Sequence, residues 1–312
     1  MYFKQTKFAG HAPAAVAAVI LAVQFFALHS DSAKAQMSAQ SLSAPGLNAQ
    51  GPATQTSAVA GSNAKPVVGS APATCTAPTD LARFERPLIH TMRRLANGQP
   101  LTIVAIGSSS TAGAGASSPD TTYPSRLAVE LRTRFPGREI TVLNRGVNGE
   151  ETDNMMARFA GDVLAAHPQL VLWQIGTNSV LRDHPLNPHA VQLHDGIEQL
   201  KGAGADVVLI DPQFAPAVLA KSETSGMVEQ IALAAKQEDV DLFRRFAVMR
   251  DWHDVQHLSF GTFVSPDQLH MNDWSYACLA KLLGGAIAEA ATRPIAAASV
   301  RPATISARPD VH

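Results

Sequence analysis

The chain has 312 residues, of which 46% are hydrophobic, enough for one large α/β domain or two small ones with a sizeable core. Its 25 basic and 26 acidic side chains leave a formal net charge of −1. No long basic run occurs, which argues against nucleic-acid binding, since that needs a positive footprint.

Residues 1–35 read as a secretory signal. Lys4 and Lys7 give a positive start, Ala14 to Leu28 an uncharged apolar run, and Ala33-Lys34-Ala35 a small-x-small cleavage site before Gln36. The alternative is an uncleaved anchor, but the run falls short of the roughly 20 apolar residues of a membrane span, and Gln24 interrupts it. No cysteine lies near the cleavage site to accept a lipid. The expectation is export, to the periplasm or the outside of the cell, with no membrane span left after cleavage. Residues 36–77, rich in Ala, Ser, Gly and Pro and nearly free of charge, read as a disordered leader. The folded domain is expected over 78–292, and 293–312 as a flexible Ala/Pro/Arg-rich tail. The two cysteines, Cys75 and Cys278, could form one disulfide in an oxidising compartment or remain separate thiols; the sequence leaves both open.

Within 78–292, Asp80 is a plausible N-cap for a helix through Phe84, Leu88, Met92 and Leu95, with Pro87 either a kink or the true start. Leu101–Ile106 is an apolar run of the kind buried on both faces of a parallel sheet, and Gly107 turns it into three serines. A helix over 123–135 stops at Pro136-Gly137, and a second strand, 139–144, runs into Arg145-Gly-Val-Asn-Gly149. A helix over 152–166 follows, then a third strand, 169–175, delivering Gly176-Thr-Asn178-Ser179. Helices near 189–201 and 222–238 flank a fourth strand, 206–210; an extended segment near 240–243 and a last helix, 274–290, complete the reading. Strands alternating with helices of ten or more residues predict a three-layer α/β/α sandwich around a central, mainly parallel sheet.

In such a sheet the loops at the carboxyl ends of the strands meet, and they form the usual ligand site. Here those loops carry Ser109, Gly149 and Asn178, while Asp267 and His270 precede the last helix. Each has a plainer use: Ser109 as a loop hydroxyl, Gly149 as a turn, Asn178 as a cap and Asp267 as a turn former after Pro266. His270 also has rivals, since Asp254 and His257 repeat the Asp-x-x-His spacing. Asp251, His253, Asp254 and His257 lack the compact spacing of a metal motif and read as an exposed polar loop, in which Trp252 and Phe260 could stack on a sugar or acyl group.

Taken together and in order, four blocks resemble those of the SGNH, or GDSL-type, serine hydrolases. Gly107-Ser108-Ser109-Ser110-Thr111-Ala112-Gly113 is similar to the first block, Asn144-Arg-Gly146-Val-Asn-Gly149 to the second, Gly176-Thr-Asn178-Ser179 to the third, and Asp267-Gln-Leu-His270 to the last. The resemblance spans about residues 100–290 and implies a flavodoxin-like fold, a Ser109–His270–Asp267 triad and no cofactor or metal. It assigns the oxyanion hole to the N–H groups of Ser109 and Gly149 and the side-chain amide of Asn178. Two positions depart from the pattern: Ser108 and Ser179 stand where the blocks usually carry aspartate.

The residue types suit that chemistry. A serine hydroxyl needs a base to take its proton, an imidazole titrates near working pH, and a carboxylate can fix its tautomer. The expected function is therefore an exported serine esterase acting through an acyl-enzyme on small-molecule or glycan esters. O-acetyl groups on glycans or short-chain acyl esters are the favoured substrates. A lysophospholipase, or a non-catalytic glycan-binding module on the same fold, are the alternatives. A nucleotide-binding protein fails on motif, because Gly113-Ala-Gly115 lacks the third glycine of Gly-x-Gly-x-x-Gly and no Gly-Lys-Ser/Thr follows the first strand.

Overall fold

Alternate residues of each central strand divide between two separate cores. Ile103, Ala105, Leu170, Leu172, Val208 and Ile210 face one side, Val104, Ile106, Val171, Trp173, Val207 and Leu209 the other, and all are buried. Such two-sided burial is why these segments read as unbroken apolar runs. The computed structural model describes residues 73–294. The signal, residues 36–72 of the leader and residues 295–312 of the tail lie outside the described residues.

The chain enters through α1 (Ile89–Ala96) and β1 (Leu101–Gly107), then short α2 (Ser109–Ala112) and α3 (Tyr123–Arg134) to β2 (Ile140–Gly146). It continues through α4 (Thr152–Ala157), β3 (Leu170–Gln174), α5 (Thr177–Leu181), α6 (Asn187–Gly202) and β4 (Asp206–Ile210). Then come α7 (Pro216–Leu219), α8 (Thr224–Gln237), β5 (Asp241–Phe243), α9 (Arg245–Asp254), α10 (Phe260–Phe263) and α11 (Asp273–Thr292). The sheet has five strands in the order β2-β1-β3-β4-β5, every pair parallel. Helices α1, α3, α9 and α11 cover one face, and α4, α6 and α8 the other. This is the expected three-layer sandwich. Because the chain steps outward from β1 to β2 and then returns to β3, the order reverses between β1 and β3, where such sheets open a crevice at their carboxyl ends.

One local expectation is settled and two change. Helix α1 begins after Pro87, the later of the two starts the sequence offered, and its first turn is capped from across the fold: the Asp206 carboxylate accepts from the N–H groups of His90 (3.2 Å) and Thr91 (2.8 Å). The helix expected over 152–166 is broken, passing from α4 into a wider π turn at Phe159–Val163 and a 3₁₀ turn at Leu164–Ala166. Phe159 and Val163 both reach the core through that change of winding, and Phe159 lies edge-on to Trp173, with ring centroids 5.1 Å apart. The polar segment at 251–257 is largely helix α9, and Trp252 is 1% exposed, packed between Phe263 and Trp274 rather than facing a substrate. It is buried because Val248, Met249 and Trp252 form the inner stripe of α9.

The ends of the domain are tied down. Cys75 and Cys278 form a disulfide, resolving what the sequence left open. Residues 73–77, which the composition groups with the leader, lie against α9 and α11. Trp252 Nε1 donates to Thr76 O (2.9 Å) and Trp274 Nε1 to Ala73 O (3.0 Å). At the other end, Arg293 donates to the carbonyls of Phe84 (2.7 Å) and Glu85 (2.8 Å).

Candidate active site

Strands β1 and β2 end level, Gly107 paired with Gly146, and the chain beyond β1 turns at once into α2, with Ser109 its first residue. Ser108, before it, is buried; its N–H and hydroxyl both donate to Gln174 Oε1, at 2.9 and 3.0 Å. Ser108 is thus held by the neutral carboxamide at the end of β3. Gly115, with φ +86°, carries the chain out of the serine loop; a Cβ there would lie 2.2 Å from Met271 O. Only glycine permits that close approach of the serine loop to the chain beside His270.

The Asp267–His270 segment is shaped by its own sequence. An antiparallel bridge between Val264 and Met271 closes its base. Within it, Ser265-Pro266-Asp267-Gln268 forms a turn in which Gln268 N–H donates to Ser265 O (3.0 Å), with proline at the position that favours its fixed φ. Asp267 Oδ1 accepts from the N–H groups of Leu269 (3.0 Å) and His270 (2.9 Å), and Oδ2 lies 2.6 Å from His270 Nδ1. Burial pushes the Asp267 carboxyl up, but the His270 ring and the two amides outweigh it and hold the group below the usual carboxylate range. An ionised Asp267 can only accept, so Nδ1 carries the ring proton and donates. Nε2 lies 2.8 Å from Ser109 Oγ, and in the neutral ring with Nδ1 protonated it presents its lone pair to that hydroxyl.

Asn178 sits in the first turn of α5, after Gly176, and its Nδ2 donates to Glu150 O at 2.8 Å. A carboxamide nitrogen carries two hydrogens, so one remains for a ligand. The N–H groups of Ser109 and Gly149 have no acceptor among the described residues. On the other side of the Gly149 Cα (φ +79°), its carbonyl accepts from Arg182 Nη2 at 2.8 Å. Arg182 in turn pairs with Glu151 (2.6 Å), which also accepts from Ser179 Oγ (2.8 Å). Burial raises the Glu151 carboxyl, but bonds from Ser179, His184 and Arg182 outweigh it and hold it low. The Glu151 carboxylate thus joins Ser179 and Arg182 beside the Gly149 turn.

The structure therefore brings Ser109, His270 and Asp267 into one hydrogen-bonded row. His257, the rival imidazole, takes no part in it; it lies exposed just beyond α9. Its neighbour His253 is 3.0 Å from Leu258 O and stacks on Phe260 with centroids 4.2 Å apart. What the sequence did not reveal is the support: Gln174, the Glu151–Arg182 clamp, and Gln213 beneath the loops. Gln213 lies just past the carboxyl end of β4, where an α/β sheet concentrates function, and that position was the one available signal.

A family model described as a Non-GDSL lipase-like family matches residues 74–293. The chain belongs to that family. The description agrees with Ser108, since the Gly-Asp-Ser block of the GDSL type is not present here. This member of the Non-GDSL lipase-like family is 35% identical over 81 residues to an arylesterase of Vibrio mimicus, a match spanning 26% of the chain and 40% of that relative. Its fold is similar to a two-domain esterase active on acetylated mannans (TM-score 0.58, 19% identity), covering 75% of this chain and 60% of that one. It is also similar to an acetylxylan esterase from Geobacillus stearothermophilus (TM-score 0.52, 19% identity), covering 60% of this chain and 94% of that one.

Proposed function

We propose that the protein is an exported serine esterase of the SGNH kind, hydrolysing carboxylic esters through an acyl-enzyme. The observation that carries this reading is the row Ser109 Oγ–His270 Nε2 (2.8 Å) and His270 Nδ1–Asp267 Oδ2 (2.6 Å). Ser109 Oγ attacks the ester carbonyl while its proton passes to His270 Nε2; Asp267 stabilises the imidazolium without taking the proton. The oxyanion is received by the N–H groups of Ser109 and Gly149 and the free hydrogen of Asn178 Nδ2. Collapse breaks the C–O bond, and His270 returns its proton to the departing alcohol. A water then gives a proton to His270 as its oxygen attacks the acyl-enzyme carbonyl; the bond to Ser109 Oγ breaks, His270 returns the proton to that oxygen, and the acid leaves.

The fold neighbours that act on acetylated mannans and acetylated xylan support O-acetyl groups on glycans, or other short acyl esters, as the substrate class. The disulfide between Cys75 and Cys278 supports export, because such bonds persist in oxidising compartments.

Release of p-nitrophenol from p-nitrophenyl acetate tests the reading. Ser109→Ala and His270→Ala are expected to lose activity by several orders of magnitude, and Ser109→Ala to stop labelling by a fluorophosphonate probe. Asn178→Ala is expected to lower kcat by about 10²–10³. Full activity in Ser109→Ala sinks the proposal, and inactivity of the unmodified protein on a panel of acetylated glycans and acyl chains leaves the binding-module reading.

A further inference from the structure

The loops that carry Ser109, Asn178 and His270 come from separate parts of the chain, yet one buried side chain bonds to the immediate neighbour of each. Gln213 is 0% exposed. Its Oε1 accepts from Thr177 Oγ1 (3.0 Å), next to Asn178, and from Ser110 Oγ (3.5 Å), next to Ser109. Its Nε2 donates to Leu269 O (3.2 Å), next to His270. We infer that Gln213 is a positioning residue of the hydrolytic centre, holding these three loops in register through one carboxamide. This inference rests on the esterase reading above.

The carboxamide has only one workable orientation. Arg245, 1% exposed, donates through Nη2 to Gln213 Oε1 (3.0 Å) and through Nε to the carbonyl of Asp211 (2.8 Å). A guanidinium has donors only, so the oxygen must face it and the NH₂ must face Leu269 O. Arg245 thereby anchors Gln213 to the end of β4 and leaves the amide no alternative flip. The chemistry also picks out glutamine among its neighbours in size. Glutamate keeps the acceptors but sets a carboxylate against the Leu269 carbonyl. Leucine keeps the volume and removes every bond. Asparagine is a methylene too short to span the same partners.

A group that acts by holding others should change turnover more than binding. Misplacing reacting atoms by about 1 Å can cost on the order of 10²-fold, whereas acyl-group recognition is left in place. Gln213→Leu is therefore expected to lower kcat on p-nitrophenyl acetate by about 10- to 100-fold and to slow fluorophosphonate labelling by a similar factor, with KM changed less than about threefold. Gln213→Glu keeps acceptors for Thr177, Ser110 and Arg245 and sets a charged oxygen in place of the donor to Leu269 O. It decides the matter if the leucine variant does not fold, and the same kcat-selective loss is expected. Thr91→Val is the control for mere destabilisation, since it removes a part-buried bond to Asp206 (2.8 Å) at the other end of the sheet. It is expected to lower Tm while keeping kcat.

A kcat within about twofold of the unmodified enzyme in Gln213→Glu, or in a folded Gln213→Leu, overturns the inference. So does a loss of kcat in Thr91→Val matching that of the Gln213 variants at equal loss of Tm. Failure of the underlying reading looks different, because then Ser109→Ala itself keeps full activity.

Discussion

Asp211, just past the end of β4, is 1% exposed, and its carboxyl Oδ1 accepts from Phe246 N–H at 2.9 Å. Burial pushes this group from 3.8 up to about 7, against the opposing pull of the Phe246 amide and the Arg245 charge. Between those two values the folded chain keeps a proton that the unfolded chain has released. The contribution of this group to stability therefore falls as pH rises from about 4 to about 7. Asparagine keeps an oxygen for Phe246 N–H and has no proton to lose. Asp211→Asn is expected to gain on the unmodified protein across this window, its Tm advantage growing between pH 4 and 8 and levelling above. Thermal melts at four or five pH values check the sign; a difference between the two proteins that does not vary with pH refutes it. The Asp267 carboxyl, displaced in the opposite direction by its bonds to His270 and Leu269, shows how the same residue type is tuned by whether donors outnumber the cost of burial.

At the scale of elements, the packing of α6 on β3 depends on one small residue. Gly196 lies where a Cβ would come within 2.3 Å of Trp173 Cη2, and Trp173 is already held on the same face by Phe159. Gly196→Ala gains up to about 1 kcal/mol in helix propensity but forces the helix or the indole to shift, at about 1–3 kcal/mol. The net expectation is a loss of stability of up to about 2 kcal/mol in denaturant unfolding, and a more stable variant contradicts this packing argument. The same elements show which parts of the fold were legible in the sequence. Strand β4 was readable to its last residue, because an apolar strand buried on both faces needs no context to stand out. Helix α9 was hidden by its charges: Arg245 and Asp251 are buried and made a half-core helix look like a polar loop. The start of α1 was marked by Pro87, but its cap was hidden, since Asp206 lies 115 residues away from Thr91. The site divides the same way. Asp267 and His270 share one turn, and Ser109 follows its own strand, so local patterns pointed to them. Gln213 has no local pattern, because its partners belong to three loops that only the sheet brings together.

At the scale of the molecule, one covalent tie spans nearly the whole domain. Cys75 and Cys278 are 203 residues apart in sequence, with Cα atoms 5.4 Å apart. Closing so long a loop removes much of the freedom of the unfolded chain, and removing a native disulfide typically costs about 2–5 kcal/mol. The tie is reinforced by weaker ones, since the indoles of Trp252 and Trp274 bond the carbonyls of Thr76 and Ala73 beside it. Those two bonds survive reduction and hold the strap in place, so the folded state should change little. The effect belongs to the unfolded state. Helix α11 also keeps its own anchors without the disulfide: its N-terminus is capped by Asn272, and Tyr276 donates to Ala114 O at 2.7 Å beside the serine loop. Cys75→Ala is therefore expected to lower the unfolding free energy by about 2–5 kcal/mol while p-nitrophenyl acetate turnover at 25 °C stays within about twofold. Adding reductant should bring the unmodified protein to the same Tm as the variant and leave the variant unmoved. An equal Tm for all four samples shows the bond to be dispensable, and a collapse of turnover at full fold shows instead that the strap reaches the site.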